Sequence, residues 1–338
     1  MRYRHSFVLL TLAYSAVAAN GDQQIASIGD LRLESGEIIR DCKIGYRTLG
    51  TLNAKKSNVI VMPTWFDGTS AGLLDYEVIG PGKVADSNKY FVIAIDALGN
   101  GVSSSPSNSP SQSGKNFPLI TIADMVQSQH RLLTEHLDIH HAKAIIGVSM
   151  GGMQTFQWLA SYPNFMDVAI PIDGSPKLTS YDIIQWRIHD SMINVMQAAG
   201  HSNAAIAEEV SQLSLLTLWT PEHLVNTVAP EDVEAFLEES MKSYSGFNAY
   251  NYVSQLRAML KHNVFGTTPD GRQAYLDKAV ARVLIIGVAS DHMVNPVPAK
   301  KLSDELDASY LAVDSDCGHM GTTCESGVVE TEVQAFLR

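Results

Sequence analysis

The chain has 338 residues, 45% hydrophobic and 18% charged, with 24 Gly, 13 Pro and a formal charge of −12. That much apolar surface forms a core, which excludes a disordered chain, a collagen-like chain and a small disulfide scaffold; the length fits one large α/β domain carrying an insertion. A surface of this sign repels phosphate backbones and anionic lipid, so neither nucleic-acid binding nor docking on a membrane surface is expected.

The first feature in the chain reads as an export signal over residues 1–19. Arg2, Arg4 and His5 form a basic start, residues 7–13 an apolar run, and Ala16-Val17-Ala18 the small-x-small pattern of a signal-peptidase site, with cleavage after Ala18 or Ala19. The apolar run is well short of the ~20 residues that cross a bilayer, so no membrane span is expected after cleavage. Cleavage after Ala18 removes two arginines and no acid, which takes the charge from −12 to −14.

Residues 26–49 alternate in polarity and are broken by Gly29, Gly36 and Gly45, which suggests antiparallel hairpin strands at one sheet edge. Continuous apolar, β-branched runs follow at residues 58–62, 90–95, 144–148, 167–172, 282–288 and 310–313, as in strands covered on both faces. Residues 101–114, rich in Ser, Pro and Asn, read as a surface loop. Thr121 and Asp124 form a capping box that opens a helix towards Leu137. Strands alternating with helices predict a doubly wound sheet with right-handed crossovers. From about Leu178 to Ala274 the pattern turns helical (residues 181–199, 204–218, 230–244 and 250–261), with no buried strand. The expected organisation is therefore a core over residues 20–177, a helical lid over 178–274, and the rest of the core over 275–338.

The chemistry starts at Gly147-Val148-Ser149-Met150-Gly151, a G-x-S-x-G pattern between a buried strand and an amphipathic helix over residues 152–161. A strand-to-helix turn this tight needs small flanking residues and presents the Ser149 hydroxyl above the sheet. Serine is a poor nucleophile until a histidine takes its proton and an acid orients that histidine. With such a turn the partners follow in the order Ser, acid, His, each past a strand end. Asp291 leaves the strand at 282–288, and His319 lies in the loop after the last strand. The other ten histidines are early, in the lid, on helices or beside Asp291 (His292); Asp314 and Asp316 share the loop of His319 and are badly placed to orient it. The N–H groups of Met150 and of Trp65, in the loop 62–68, are the expected oxyanion hole. The side chains of Trp65 and Phe66 either wall the acyl pocket or simply pack. Cys317 and Cys324 bracket His319: either they are bridged and Cys42 is the odd one out, or all three are buried thiols. No Cys/His set has zinc-like spacing, and His136 and His140 read as ordinary helix-end residues, so no metal is expected.

These features resemble the α/β-hydrolase superfamily and, more narrowly, its homoserine O-acetyltransferase-like branch. The resemblance is carried by Gly80-Pro81-Gly82-Lys83 with Tyr90-Phe91-Val92-Ile93 and Leu98-Gly99, by Asp124-Met125-Val126 running through Gln129 to the turn at residues 147–152, and by Ser290-Asp291. It spans most of residues 40–320. It implies the α/β-hydrolase fold (an eight-stranded, mostly parallel sheet with helices on both faces and a helical lid), a serine acyl-enzyme route, a triad on Ser149, Asp291 and His319, and a substrate-binding arginine at Arg187. Two departures stand out. Homoserine acetyltransferases resemble one another in an acidic residue directly after the histidine, which holds the substrate's amino group, and Met320 stands there instead. Their oxyanion segment reads His-Ala-Leu-Thr, against Pro63-Thr64-Trp65-Phe66 here. An exported protein also lacks acetyl-CoA. The expectation is an exported (periplasmic or secreted) serine hydrolase that cleaves an ester, or failing that an amide or carbon–carbon bond, of a small or medium substrate, with water as acceptor and no cofactor. The alternatives are a CoA-dependent O-acyltransferase and a catalytically silent binding protein on the same scaffold. The expected partner is a small ester or acyl substrate; homodimerisation is left open.

Overall fold

The computed structural model describes residues 18–338; most of the expected export signal lies outside the described residues. Strands β1 (Ala18–Asn20) and β2 (Gln24–Ser27) precede two short hairpin strands, β3 (Leu31–Arg32) and β4 (Ile38–Ile39), and the long β5 (Lys43–Thr51). Then come β6 (Val59–Pro63), α1 (Ser70–Asp75), the small β7 (Ile79–Gly80) and β8 (Ala85–Asp86) pair, β9 (Phe91–Ile95), α2 (Ile122–Arg131), β10 (Ala142–Val148), α3 (Met150–Ser161) and β11 (Met166–Ile172). A run of helices follows: α4 (Ser180–Ala198), α5 (Asn203–Leu218), α6 (Pro221–Thr227), α7 (Val233–Met241), α8 (Ala249–Leu260) and α9 (Gly271–Lys278). The chain ends with β12 (Arg282–Val288), α10 (Val297–Glu305), β13 (Ser309–Val313), α11 (Gly321–Cys324) and α12 (Ser326–Phe336).

The main sheet runs β1-β5-β9-β6-β10-β11-β12-β13, with β2 also paired to β5. β1, β2 and β9 are antiparallel to β5, and every pairing from β9 to β13 is parallel. The continuous apolar runs follow from two cores. Val59, Val61, Ile93, Ile95, Ile145 and Ile285 feed the face covered by α2, α3 and α10, whereas Ile60, Met62, Val92, Ala94, Ile146 and Ile286 feed the face covered by α1 and α12. With apolar partners on both faces, alternation disappears from the sequence. The capping box is present: Asp124 N–H donates to Thr121 Oγ1 and Thr121 N–H to Asp124 Oδ2. The helix it opens passes into a π-turn over Leu132–His136.

Several elements differ from the sequence expectations. Ala18–Asn20 pairs with β5, so a cut after Ala18 or Ala19 falls inside β1. Residues 230–244 form two 3-10 turns flanking α7 rather than one helix, and α6 and α9 were too short to stand out in the pattern. The polar loop at 101–114 is partly inside: Ser103, Ser104 and Ser105 are buried, because their hydroxyls and backbone close the end of β5. Cys42 is a buried free thiol, and burial pushes its pKa up to about 12.

Candidate active site

β6 is the switch point of the sheet: the chain passes from it to β9 on one side and returns as β10 on the other. In such sheets the crevice at the carboxyl ends of the switching strands is where ligands bind. The loop leaving β6 and the turn leaving β10 therefore stand side by side.

The turn after β10 is held by close contact. Ser149 has φ 57°, a left-handed value uncommon for a non-glycine residue. Its N–H donates to Ile172 O at 2.8 Å and its carbonyl accepts from Met153 N–H at 3.0 Å. A Cβ on Gly147 would stand 2.0 Å from Gly151 O, and one on Gly151 2.6 Å from Pro63 O, so both positions require glycine. The outcome is a serine hydroxyl presented at the head of α3.

His319 Nε2 lies 2.9 Å from Ser149 Oγ, and its Nδ1 lies 2.7 Å from Asp291 Oδ2. The other Asp291 oxygen accepts the N–H groups of Met293 and Val294 at 2.8 and 3.0 Å, which leaves Oδ2 for the imidazole. Burial pushes the His319 pKa down, but the carboxylates of Asp291 and Asp173 outweigh it and hold the imidazole above its ordinary 6.5. Sequence, strand order and geometry thus converge on one hydrogen-bonded line from Asp291 through His319 to Ser149.

The loop of His319 is fastened on several sides. Cys317 and Cys324 are bridged, which closes a short loop around the histidine. Ser290 Oγ donates to Ser315 O at 2.6 Å and Thr220 Oγ1 to Asp316 O at 2.5 Å. Thr322 Oγ1 donates to Asp173 Oδ2 at 2.5 Å. Asp173 sits just past β11 with a buried, unpartnered Oδ1, and burial pushes its pKa up to about 7. Its depth is a tertiary property, and nothing in the sequence marks it out. Asp316, set aside as the orienting acid, pairs instead with His223 at 3.2 Å. His223, Asp316 and Cys317 form the one cluster of metal-capable side chains among the described residues, but the Cys317 sulfur is committed to the disulfide.

On the β6 side, Thr64 N–H donates to Ile95 O and Thr64 O accepts from Gln154 Nε2 at 2.9 Å. Gln154 continues to Gln129, which accepts the Trp158 indole N–H, so a buried chain from α2 and α3 holds the loop in place. Among the described residues, neither the Trp65 N–H nor that of Met150, the first residue of α3, has a protein acceptor. The Trp65 ring packs over Gly68 and edge-on to Tyr76. Phe66 points into the lid, with its ring 5.4 Å from Trp186 and 4.4 Å from Tyr252.

Arg187 does not join the site. Gln185, Trp186 and His189 form the buried face of α4, and the helical period turns Arg187 to the exposed side. The arginine position implied by the resemblance is therefore corrected: neighbouring Trp186 faces inward at that level. The lid is bonded to the edge of the sheet at three further loops: Gln255 accepts from Asp67 N–H and donates to Leu98 O, Asn251 accepts from Ser107 N–H, and Asp182 accepts from Asn295 N–H beyond Asp291.

The sequence matches the α/β hydrolase fold family over residues 68–322. It is 40% identical over 178 residues to a probable esterase of Corynebacterium glutamicum, covering 52% of this chain, and it spans about half (51%) of that relative's length. It is 34% identical over 244 residues to an ethyl acetate hydrolase of Pseudomonas veronii, covering 69% of this chain and 70% of that one. A homoserine O-acetyltransferase of Methanococcoides burtonii is 28% identical over 91% of this chain and 72% of its own. The solved structure of the acetyl esterase MekB superposes with a TM-score of 0.84 at 27% identity, covering 94% of this chain and 96% of that one.

Proposed function

Because this chain belongs to the α/β-hydrolase fold family, we propose that it is a serine esterase acting on small esters, acetates of short alcohols among them, through an acyl-enzyme. The observation that carries the reading is the continuous Asp291–His319–Ser149 hydrogen-bonded line at the carboxyl edge of the sheet. His319 Nε2 takes the Ser149 proton as Oγ attacks the ester carbonyl, and the Met150 and Trp65 N–H groups receive the developing oxyanion. His319 then protonates the leaving alcohol and deprotonates the water that releases the acid. Asp291 keeps the imidazole in the required tautomer and stabilises the imidazolium. No metal enters these steps.

Acyl transfer to an amino alcohol is the second reading, favoured by the homoserine O-acetyltransferase relative. Against it stand Met320 directly after the histidine and the outward Arg187, which leave the homoserine ammonium and carboxylate without the partners that the resemblance implies. We also propose export. The basic-apolar-small pattern of residues 1–19 supports it, and the Cys317–Cys324 disulfide suits an oxidising compartment.

The test is hydrolysis of ethyl acetate and nitrophenyl acetate by wild type and Ser149→Ala, beside transfer from acetyl-CoA to homoserine. Hydrolysis that falls by about 10⁴-fold or more in the variant supports the reading. Transfer that outruns hydrolysis overturns it in favour of the transferase.

A further inference from the structure

We propose that Asp67 and the aromatic rings beside it form a recognition subsite for an alkylammonium group carried by the substrate. The inference rests on the esterase reading and names a class of ester within it. Asp67 lies two residues beyond Trp65, so at most about 7 Å of backbone separates it from that N–H.

Its backbone is fixed. Asp67 has φ 55°, in the left-handed region that a non-glycine residue seldom occupies, and its N–H donates to the buried Gln255 Oε1 at 2.8 Å. The backbone at Asp67 is thus held from the lid helix α8.

Its carboxyl group is the exception among the deep carboxylates of this edge. Asp96 accepts from Ser70 and Asn100, Asp182 from Thr179 and Asn295, Asp291 from Met293 and Val294, and Asp173 from Thr322. The Asp67 carboxyl has no hydrogen bond or ion pair with any described residue, and no charged side chain is close enough to shift its pKa, which burial alone pushes up to about 7. The residue is nevertheless partly exposed, so a ligand can reach it.

The groups around it are rings. Tyr244 and Tyr252 both feel its charge. The ring of the preceding residue, Phe66, stands against Tyr252 and Trp186, and Phe247 lies 5.4 Å from Tyr252. A carboxylate in low-dielectric surroundings, beside several aromatic rings, attracts a weakly hydrated cation through both features. A neutral hydroxyl gains nothing from the ring faces, and a substrate carboxylate is repelled. The net charge of −12 draws the same class of ligand from solution.

The experiment uses isosteric ester pairs in which a tert-butyl carbon replaces a quaternary nitrogen. Acetylcholine against 3,3-dimethylbutyl acetate puts the charge on the alcohol side, and betaine ethyl ester against ethyl 3,3-dimethylbutanoate puts it on the acyl side. For one pair, the cationic-to-neutral ratio of kcat/KM is expected to fall by about tenfold or more in Asp67→Asn. In wild type that ratio rises with pH through about 7 as the carboxyl ionises. Tyr244 and Tyr252, the other titratable groups facing it, stay neutral there, and the His319 proton affects both members of a pair alike. Ratios that the substitution leaves unchanged in both pairs overturn the proposal. Asp67→Ser replaces the Asn variant if thermal melting finds that variant unfolded. If no ester is turned over, the esterase reading fails and calorimetric titration with choline decides the subsite. Binding lost in the variant supports it; equal binding, or none to wild type, overturns it.

Discussion

The turn at Ser149 and the buried face of lid helix α4 differ in how they treat polar groups. Around the turn, nearly every buried donor and acceptor is answered: Ser149 N–H by Ile172, both Asp291 oxygens by three N–H groups, Gln154 by Thr64 and Gln129. On α4, among the described residues, the Gln185 amide, the Trp186 indole N–H and His189 Nε2 are buried without a partner, and of these three side chains His189 alone is bonded, through Nδ1 to the Tyr252 hydroxyl at 3.1 Å. A fully satisfied network fixes one geometry, whereas unpaired polar groups cost stability and leave the surface that bears them easier to lift. The contrast teaches that the proton-transfer line is preorganised and that adaptability has been left to the lid.

The sharpest way to break that comparison is Asp291→Asn. If the line is rigid and catalytic, kcat for a neutral ester falls by about 10⁴-fold while the melting temperature changes little, since the amide keeps a similar shape. A loss below tenfold would mean that another group orients His319. The next effect is on pH. His319 acts unprotonated, so kcat/KM falls about tenfold per pH unit below its pKa, which lies above 6.5. Asp173→Asn removes one carboxylate that raises it, and the acid limb of the profile is expected at lower pH than in wild type. An unmoved limb would confine Asp173 to holding Thr322.

Two smaller effects concern stability. Replacing Cys317 and Cys324 together by serine is expected to cost about 2–3 kcal/mol, read as a drop in melting temperature of roughly 3–5 °C, with kcat reduced because the histidine loop loses its closure. Gln185→Leu tests the lid from the opposite direction. Removing an amide with no partner is expected to raise stability by about 1 kcal/mol, seen in chemical denaturation as a higher midpoint at unchanged slope. A destabilised variant would mean that the amide is satisfied in solution.

The legible part of the molecule was the part governed by local rules. Buried parallel strands read as unbroken apolar runs because two cores claim alternate side chains, and all six predicted runs begin within two residues of β6, β9, β10, β11, β12 and β13. Ser149, Asp291 and His319 could be picked out because a G-x-S-x-G turn and the order of the following strand ends leave few candidates. What resisted reading depends on depth and direction. Nothing in the order of residues tells that Asp67 and Asp173 end in low-dielectric surroundings, or that serines 103–105 turn inward. Arg187 failed for a related reason: the resemblance supplied a residue type, but the helical phase of α4 gives the inward position to Trp186 and His189.

The buried thiol of Cys42 bears on how the bridge around His319 comes to be made. A thiolate, and not a thiol, attacks disulfides, and a sulfur with a pKa near 12 that is sealed from solvent supplies almost none at neutral pH. Once β5 has formed, the third cysteine is chemically silent. Oxidation of the folded chain then has a single intramolecular product, and no shuffling enzyme is required to sort one pairing from another.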